Sequence, residues 1–249
     1  MSFVFSSQQD DITTVALSRG KVNALNESVV EELHGTLSGL ANDQRTKGVI
    51  LTGQGKFFSF GFDIPEFLDY SREEFTRYLT IFTDLYASLF LYPKPIIAAL
   101  NGHAIAGGCM LALACDHRVM VSGKAKISLN EIGFGSSVFA GSVEMLRFWA
   151  GGQNATKILY SGAMYNAEEA KELGLVDTVT AEADLMAEAR AVAVGLAGKE
   201  GPAFSSVKRL LRESIAADMR ARENQSIREF VDIWYSESTR EKLREIKIH

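Results

Sequence analysis

The sequence predicts an α/β protein whose first part alternates strands and helices and whose last part is helical. Two observations carry that expectation. Short β-branched and apolar runs, several ended by glycine or by polar turn residues, alternate with longer stretches at helical spacing up to about residue 140. Beyond that point helical periodicity dominates, and βαβ units followed by helices describe an α/β core with a helical region appended.

The elements follow in order. "ITTVALS" (Ile12 to Ser18) mixes β-branched and apolar residues as a strand does. "SRGKVNALN" (Ser18 to Asn26) is a turn, and "ESVVEELHGTLSGLAND" places Val29, Leu33, Leu37 and Leu40 on one helical face. "GVILTGQG" (Gly48 to Gly55) is an apolar run ended by glycines, the pattern of a buried strand. "KFFSFGFDIPEF" is a loop centred on Gly61. "SREEFTRYLTIFTDLYASLFLY" is a helix with Ser71 and Glu74 spaced as a capping box and Pro93 and Pro95 as its stop. "PIIAALNG" is a second buried strand, and a very apolar helix follows from about Gly107 to Ala114. "DHRVMVS" is a strand and "AKISLNEIGFG" a further strand and loop. "SVEMLRFWAG", "NATKILYSGAMYNAEEAKELGLVDTVT" and the segment from Ala183 to Ala197 all carry helical spacing. Pro202 breaks that pattern, and long amphipathic helices run from there toward the C-terminus.

Composition narrows the function classes. The chain has 249 residues, 47% hydrophobic and 23% charged, the balance of one large folded domain or a domain with a small appendage. Its net charge of −5 offers nothing global to nucleic acid or an anionic membrane, so an anionic ligand needs local cations. Cys109 and Cys115 lie six apart on one predicted helix, a spacing of neither a metal pair nor a disulfide framework; a reduced, cytoplasmic setting is expected. The opening "MSFVFSSQQDD" lacks the basic start and apolar stretch of a secretory signal. "PIIAALNGHAIAGG" is interrupted by Asn101, Gly102 and His103 and is too short to cross a bilayer.

The chemistry begins with Gly107 and Gly108. A strand, a glycine-bearing turn and a helix N-terminus together present free backbone N–H groups at the positive end of a helix dipole. Without a Cβ, the turn admits a ligand oxygen close to that backbone; tight packing on a neighbouring strand explains the glycines equally well. Gly61 occupies a similar loop after another strand, flanked by Phe58, Phe60 and Phe62. One amide from each turn could converge on a single oxygen that gains charge, which is what an oxyanion hole requires. Glu131, in "ISLNEIGFG", is ringed in sequence by Ile127, Leu129, Ile132 and Phe134. A carboxyl in apolar surroundings has a raised pKa and suits proton transfer near neutrality, whereas a partly exposed loop glutamate has no such role.

Taken together, "FFSFGFDIPEF", "PKPIIAALNGHAIAGGCMLALACDHRVM", "ISLNEIGFG" and "AEEAKELGLVDTV" resemble the crotonase (enoyl-CoA hydratase/isomerase) superfamily over nearly the whole chain. The resemblance implies a spiral of ββα repeats, here residues 1–195 with the acyl-CoA site, followed by a helical trimerisation region, residues 196–249. It implies an acyl-CoA thioester substrate in fatty acid metabolism, a homotrimer or hexamer, and no metal or other cofactor, coenzyme A being part of the substrate. The thioester oxygen would be held by the amides of Phe62 and Gly107. Hydratases of this superfamily carry one glutamate in the helix after the glycines and a second in the later loop. Here Met110 occupies the first position and Glu131 the second. A thioether neither donates nor accepts a proton usefully, although it packs well in a core. One retained carboxyl resembles the Δ3,Δ2-enoyl-CoA isomerase branch, in which a single base moves a proton from C2 to C4. The alternatives are another acyl-CoA enzyme of the superfamily (hydratase, thioester hydrolase or decarboxylase) or a non-catalytic acyl-CoA or RNA-binding protein, the latter opposed by the net charge.

The same resemblance marks further residues. Arg19 and Lys21 match the loop along the nucleotide end of coenzyme A, and Lys208, Arg209 and Arg212 form a basic helical patch that could reach its phosphates; for each, an ordinary solvated charge is the competing reading. Phe60, Phe62, Phe134 and Phe139 line an acyl pocket or belong to the core. Gly61 and Gly108 shape the two turns. Asp63 is expected to brace backbone N–H groups. His103 reads as a structural histidine, Cys109 as a small buried hydrophobe and Asp116 as a turn residue.

Overall fold

The computed structural model describes residues 2–246. Two sheets organise it. The larger has the order β1-β2-β3-β5-β7-β9 and the smaller β4-β6-β8. Strands β1 (Val4–Gln9) and β2 (Ile12–Leu17) pair antiparallel, and every later pairing between strands is parallel; a lone antiparallel bridge joins Ile127 to Tyr165. The chain alternates between the sheets. β3 (Gly48–Gly53) joins the large sheet and β4 (Phe57–Ser59) starts the small one; β5 (Ile96–Leu100) and β6 (His103–Ile105) repeat the move, as do β7 (His117–Val121) and β8 (Ile127–Ser128). Helices close the successive turns, so the expected spiral of ββα repeats is the observed architecture.

Each element follows from its side chains. β5 is buried at all five positions and β3 at its first five, as strands covered on both faces must be. Helix α1 (Glu27–Asn42) starts where the Asn26 side chain accepts from the Val29 N–H. The short α2 (Ile64–Phe67) is capped by Asp63, and α3 (Arg72–Phe90) by the reciprocal Ser71–Glu74 capping box. Helix α4 (Gly107–Ala114) is buried on every side, which its unbroken apolar sequence permits and requires.

α5 (Ala140–Ser161) contains a break at Gly151, whose φ of +72° is not helical, where the two stretches read as helical part. The second half differs from expectation in two places. The stretch predicted helical through Thr180 instead ends its helix α6 at Ala167–Glu172 and supplies β9 (Thr178–Thr180), because the β7 edge is open to pair with it. Pro202 does not interrupt a helix. It stands in the first turn of α8 (Gly201–Trp234), where a missing N–H costs nothing. β1 was not legible: its side chains are exposed at five of six positions, so no apolar run marks it. Helix α7 (Leu185–Ala197) spans the division expected at residue 195.

The C-terminal helices α8 and α9 (Glu237–Arg244) pack on the core instead of standing away from it. Ring centroids of Phe75 and Trp234 are 4.6 Å apart, as are those of Phe139 and Phe230. These aromatic contacts make α8 one wall of the interior that holds the site.

Candidate active site

The small sheet positions the chemistry. Its three parallel strands end side by side, and each runs directly into one predicted site segment: β4 into Gly61 and Phe62, β6 into Ala106 and Gly107, β8 into Asn130 and Glu131. A parallel sheet gathers at its carboxyl edge loops that lie far apart in sequence.

The Gly61 turn is held by the Ser18–Asn26 segment behind it. Phe60 N–H donates to Val22 O at 2.9 Å, Leu25 N–H to Gly61 O at 2.8 Å and Asp63 N–H to Leu25 O at 3.2 Å. In such a parallel bridge the flanking residues bond to Leu25, and the Phe62 amide faces the other way. Gly61 has φ +88°, and a Cβ there would lie 2.8 Å from Ile105 O and 3.1 Å from Gly107 N. Only glycine fits that conformation and that approach. The two glycine turns therefore touch, as an oxyanion hole of two amides requires. Neither the Phe62 nor the Gly107 N–H has a backbone acceptor among the described residues. Ala106, just before Gly107, is held at φ +49°, a strained value for a residue with a side chain. Its N–H donates to Ser128 O at 2.8 Å and its carbonyl accepts from Met110 N at 3.0 Å, so the peptide that carries the Gly107 amide is clamped from both sides.

Glu131 opens a single 3-10 turn, Glu131–Phe134, ended by Gly135 at φ +79°. It is 3% exposed, and its Oε2 is buried with no hydrogen-bond partner among the described residues. Burial pushes its carboxyl up to about 8. A buried acceptor left open points to a partner that arrives with a ligand.

These segments surround one cavity of about 380 Å³. Phe60, Phe62, Ile64, Ile105 and Ala106 line it from the glycine turns, and Asn130, Glu131, Gly133 and Phe134 from the 3-10 turn. Gly162 and Met164 add another side, and Phe230, Trp234 and Ile246 close it from the C-terminal region. Among the described residues Glu131 is the one ionisable side chain in this wall. Cys109 is the titratable neighbour on α4; burial, and then the Glu131 charge, push its thiol upward, so it stays protonated. Met110 is 1% exposed and lies in the core, outside the cavity wall. Among the described residues no group of three or more His, Cys, Asp or Glu side chains is arranged to hold a metal ion.

Other predicted residues lie elsewhere. Gly108 faces Ser59, whose carbonyl a Cβ would strike, so it allows α4 to pack on β4 and does not touch the cavity. Phe139 is fully buried core. Arg19 is engaged by Asp63 at 2.6 Å and Glu66 at 3.0 Å, and also donates to Ala24 O; it braces the Phe62 loop and α2. Asp63 caps α2 through Glu66 N–H, the bracing role expected of it. Lys21 is exposed on its turn. The basic patch on α8 is a correction. Lys208 and Arg212 are 5% and 4% exposed and pair with Asp116 at 2.8 and 3.1 Å, forming a buried ionic cluster that locks α8 to the start of β5. Asp116 also accepts from Ile96 N–H at 2.8 Å, far more than a turn residue would do. Only Arg209 of that trio is exposed. His103 packs against Phe57 with ring centroids 4.9 Å apart and planes tilted by 33°, outside the cavity wall; burial and Lys126 lower its pKa. Phe230, Trp234 and Ile246 were missed as lining residues, although Ile227, Phe230, Val231 and Trp234 show the helical spacing of a buried face.

The comparisons with known proteins show the family and the fold. The sequence pattern of the family described as "Enoyl-CoA hydratase/isomerase" matches residues 7–245. The chain is 31% identical over 220 residues to the putative enoyl-CoA hydratase/isomerase YngF of Bacillus subtilis, covering 88% of this chain and 84% of that protein. It is 29% identical over 218 residues to the short-chain-enoyl-CoA hydratase of Clostridium acetobutylicum, covering 87% and 83%. The crystal structure of human mitochondrial delta3-delta2-enoyl-CoA isomerase superposes with a TM-score of 0.94 at 25% identity, covering 98% of this chain and 96% of that one.

Proposed function

The chain belongs to the enoyl-CoA hydratase/isomerase family, and we propose that within it this protein is an isomerase that moves the double bond of a 3-enoyl-CoA to the 2-position. The observation that carries the reading is that Glu131 is the one ionisable side chain, among the described residues, in a mostly apolar cavity wall whose other polar side chain is Asn130. Hydration needs one group to activate water and another to protonate the α-carbon. Isomerisation needs one group used twice. The Glu131 carboxylate takes a proton from C2, and the electron pair flows into the thioester, whose oxygen rests on the Phe62 and Gly107 amides. The resulting dienolate then receives the proton at C4 from the Glu131 carboxylic acid, leaving the double bond between C2 and C3. A burial-raised pKa makes the carboxylate a stronger base for a carbon acid. Two amides on the dienolate oxygen stabilise the intermediate, each such donor contributing on the order of 10²–10³-fold in rate.

The remaining assignments follow from this reading. Phe60 and Phe134 contact the acyl group, and Gly61, Gly108 and Asp63 hold the shape of the turns. Arg19 supports the oxyanion loop, and Lys21 is the cation left on that turn for the nucleotide end of coenzyme A. No metal or cofactor beyond coenzyme A enters the chemistry. A homotrimer or hexamer accords with the exposed Val207, Leu210 and Leu211 on α8, and light scattering would measure it. A cytoplasmic location accords with the free, buried Cys109 and Cys115. Among the described residues no helix is long and apolar enough to cross a membrane.

The test pairs two substrates. With 3-enoyl-CoA, the conjugated 2-enoyl thioester should accumulate, seen by its ultraviolet absorbance. With 2-enoyl-CoA, no 3-hydroxyacyl product should form at a comparable rate. Hydration outpacing isomerisation would reject the reading.

A further inference from the structure

We propose that Thr239, on the C-terminal helix α9, is a positioning residue whose hydroxyl fixes the turn bearing Glu131; its bearing on catalysis rests on the isomerase reading above. Thr239 is 2% exposed, and its Oγ1 donates to Gly135 O at 2.7 Å. Gly135 ends the Glu131 turn, and the turn closes on itself through Ser136 N–H to Glu131 O at 2.9 Å and Gly135 N–H to Ile132 O at 3.1 Å. Nothing in the turn itself satisfies the Gly135 carbonyl. The threonine, 104 residues away in sequence, does so from a different element. Ser236 Oγ, at the N-cap of α9, lies 3.1 Å from this hydroxyl and 2.7 Å from Ile233 O, the acceptor nearer to its one proton.

The helix that supplies this contact is tied to the other flank of the cavity as well. Arg240 donates to Leu68 O at 2.9 Å, just after α2, and Tyr235, in the link between α8 and α9, donates its OH to Tyr70 O at 2.6 Å. Ile246, two residues beyond α9, is part of the cavity wall. The α9 segment thus spans from the oxyanion-loop side to the Glu131 side, and Thr239 is its hydrogen bond to the latter. A short 3-10 turn carries few internal bonds, so an outside anchor decides how firmly its first residue is aimed. A base must stay within hydrogen-bond reach of its proton, and a misplacement of about 1 Å can cost on the order of 10²-fold.

The test compares Thr239→Val, which keeps shape and loses the donor, with Thr239→Ser, which keeps the donor. Thr239→Cys gives a second variant with only a weak donor, should valine at this site fail to fold. Thr239→Val and Thr239→Cys should lose about tenfold in kcat with KM within about twofold, while Thr239→Ser stays within about threefold of the wild type. Amide hydrogen exchange across residues 131–136 should rise in the first two variants and not in the third, a readout independent of which reaction the enzyme performs. If the wild type fails to isomerise 3-enoyl-CoA, the functional reading falls and the exchange result alone decides the anchor. Unchanged exchange across 131–136 in the donor-poor variants, or a serine variant as impaired as the valine one, overturns the proposal.

Discussion

If Glu131 is the base, the pH profile of the enzyme carries the signature of its burial. The active form is the carboxylate, and burial pushes this carboxyl from its ordinary 4.5 up to about 8. Only about one molecule in eleven is then ionised at pH 7 and about one in a hundred at pH 6, so kcat/KM should climb roughly tenfold per pH unit below 8 and level off above about 9. Initial rates of conjugated thioester formation, taken well below KM between pH 5.5 and 9.5, measure this directly, because kcat/KM reports the free enzyme. The same proton is visible in stability. The folded pKa lies above the unfolded one, so the native state holds a proton that the unfolded chain releases. Glu131 is therefore best tolerated below about pH 4.5, and its burial weighs increasingly against the fold as pH rises through 8. At about 1.36 kcal/mol per pH unit over that window, the loss is at most about 5 kcal/mol. A Glu131→Gln variant does not titrate there, so its melting temperature should gain on that of the wild type as pH increases. A rate profile that is flat from pH 6 to 9, as an unshifted carboxyl would give, would refute the reasoning.

Three substitutions extend the account. Gly61→Ala places a Cβ 2.8 Å from Ile105 O in a backbone conformation alanine resists, and displacing the adjacent amide should lower kcat by about 10²–10³-fold, measured on 3-enoyl-CoA. Met110→Leu conserves core volume and removes no proton carrier; kcat should stay within about twofold and stability within ~1.5 kcal/mol, and a large kcat loss would mean the thioether has a role. Asp116→Asn leaves Lys208 and Arg212 buried without their counter-charge and should cost about 3–5 kcal/mol in denaturant unfolding, with KM for acyl-CoA little changed.

Much of the site was legible because its parts carry local signals. Gly61, Gly107 and Glu131 each stand in a short segment whose residue types announce a turn, a helix start or a carboxyl among apolar neighbours. Their convergence was not legible from spacing. β4, β6 and β8, which bring them together, are only two or three residues long, too short for alternation to register. The ionic cluster failed for a different reason. Lysine and arginine default to the surface, and the partner that draws Lys208 inward is 92 residues distant. Thr239 gave no signal at all, since a lone hydroxyl on a charged helix becomes an anchor only through the turn packed against it.

The measurement closest to the central claim is the isomerisation rate of Glu131→Gln on 3-enoyl-CoA, taken alongside its affinity for acyl-CoA. Glutamine preserves the side chain's shape and cannot take the C2 proton. The account predicts a fall on the order of 10³-fold in kcat with binding within about threefold of the wild type. A variant that binds normally and isomerises within tenfold of the wild type would contradict it.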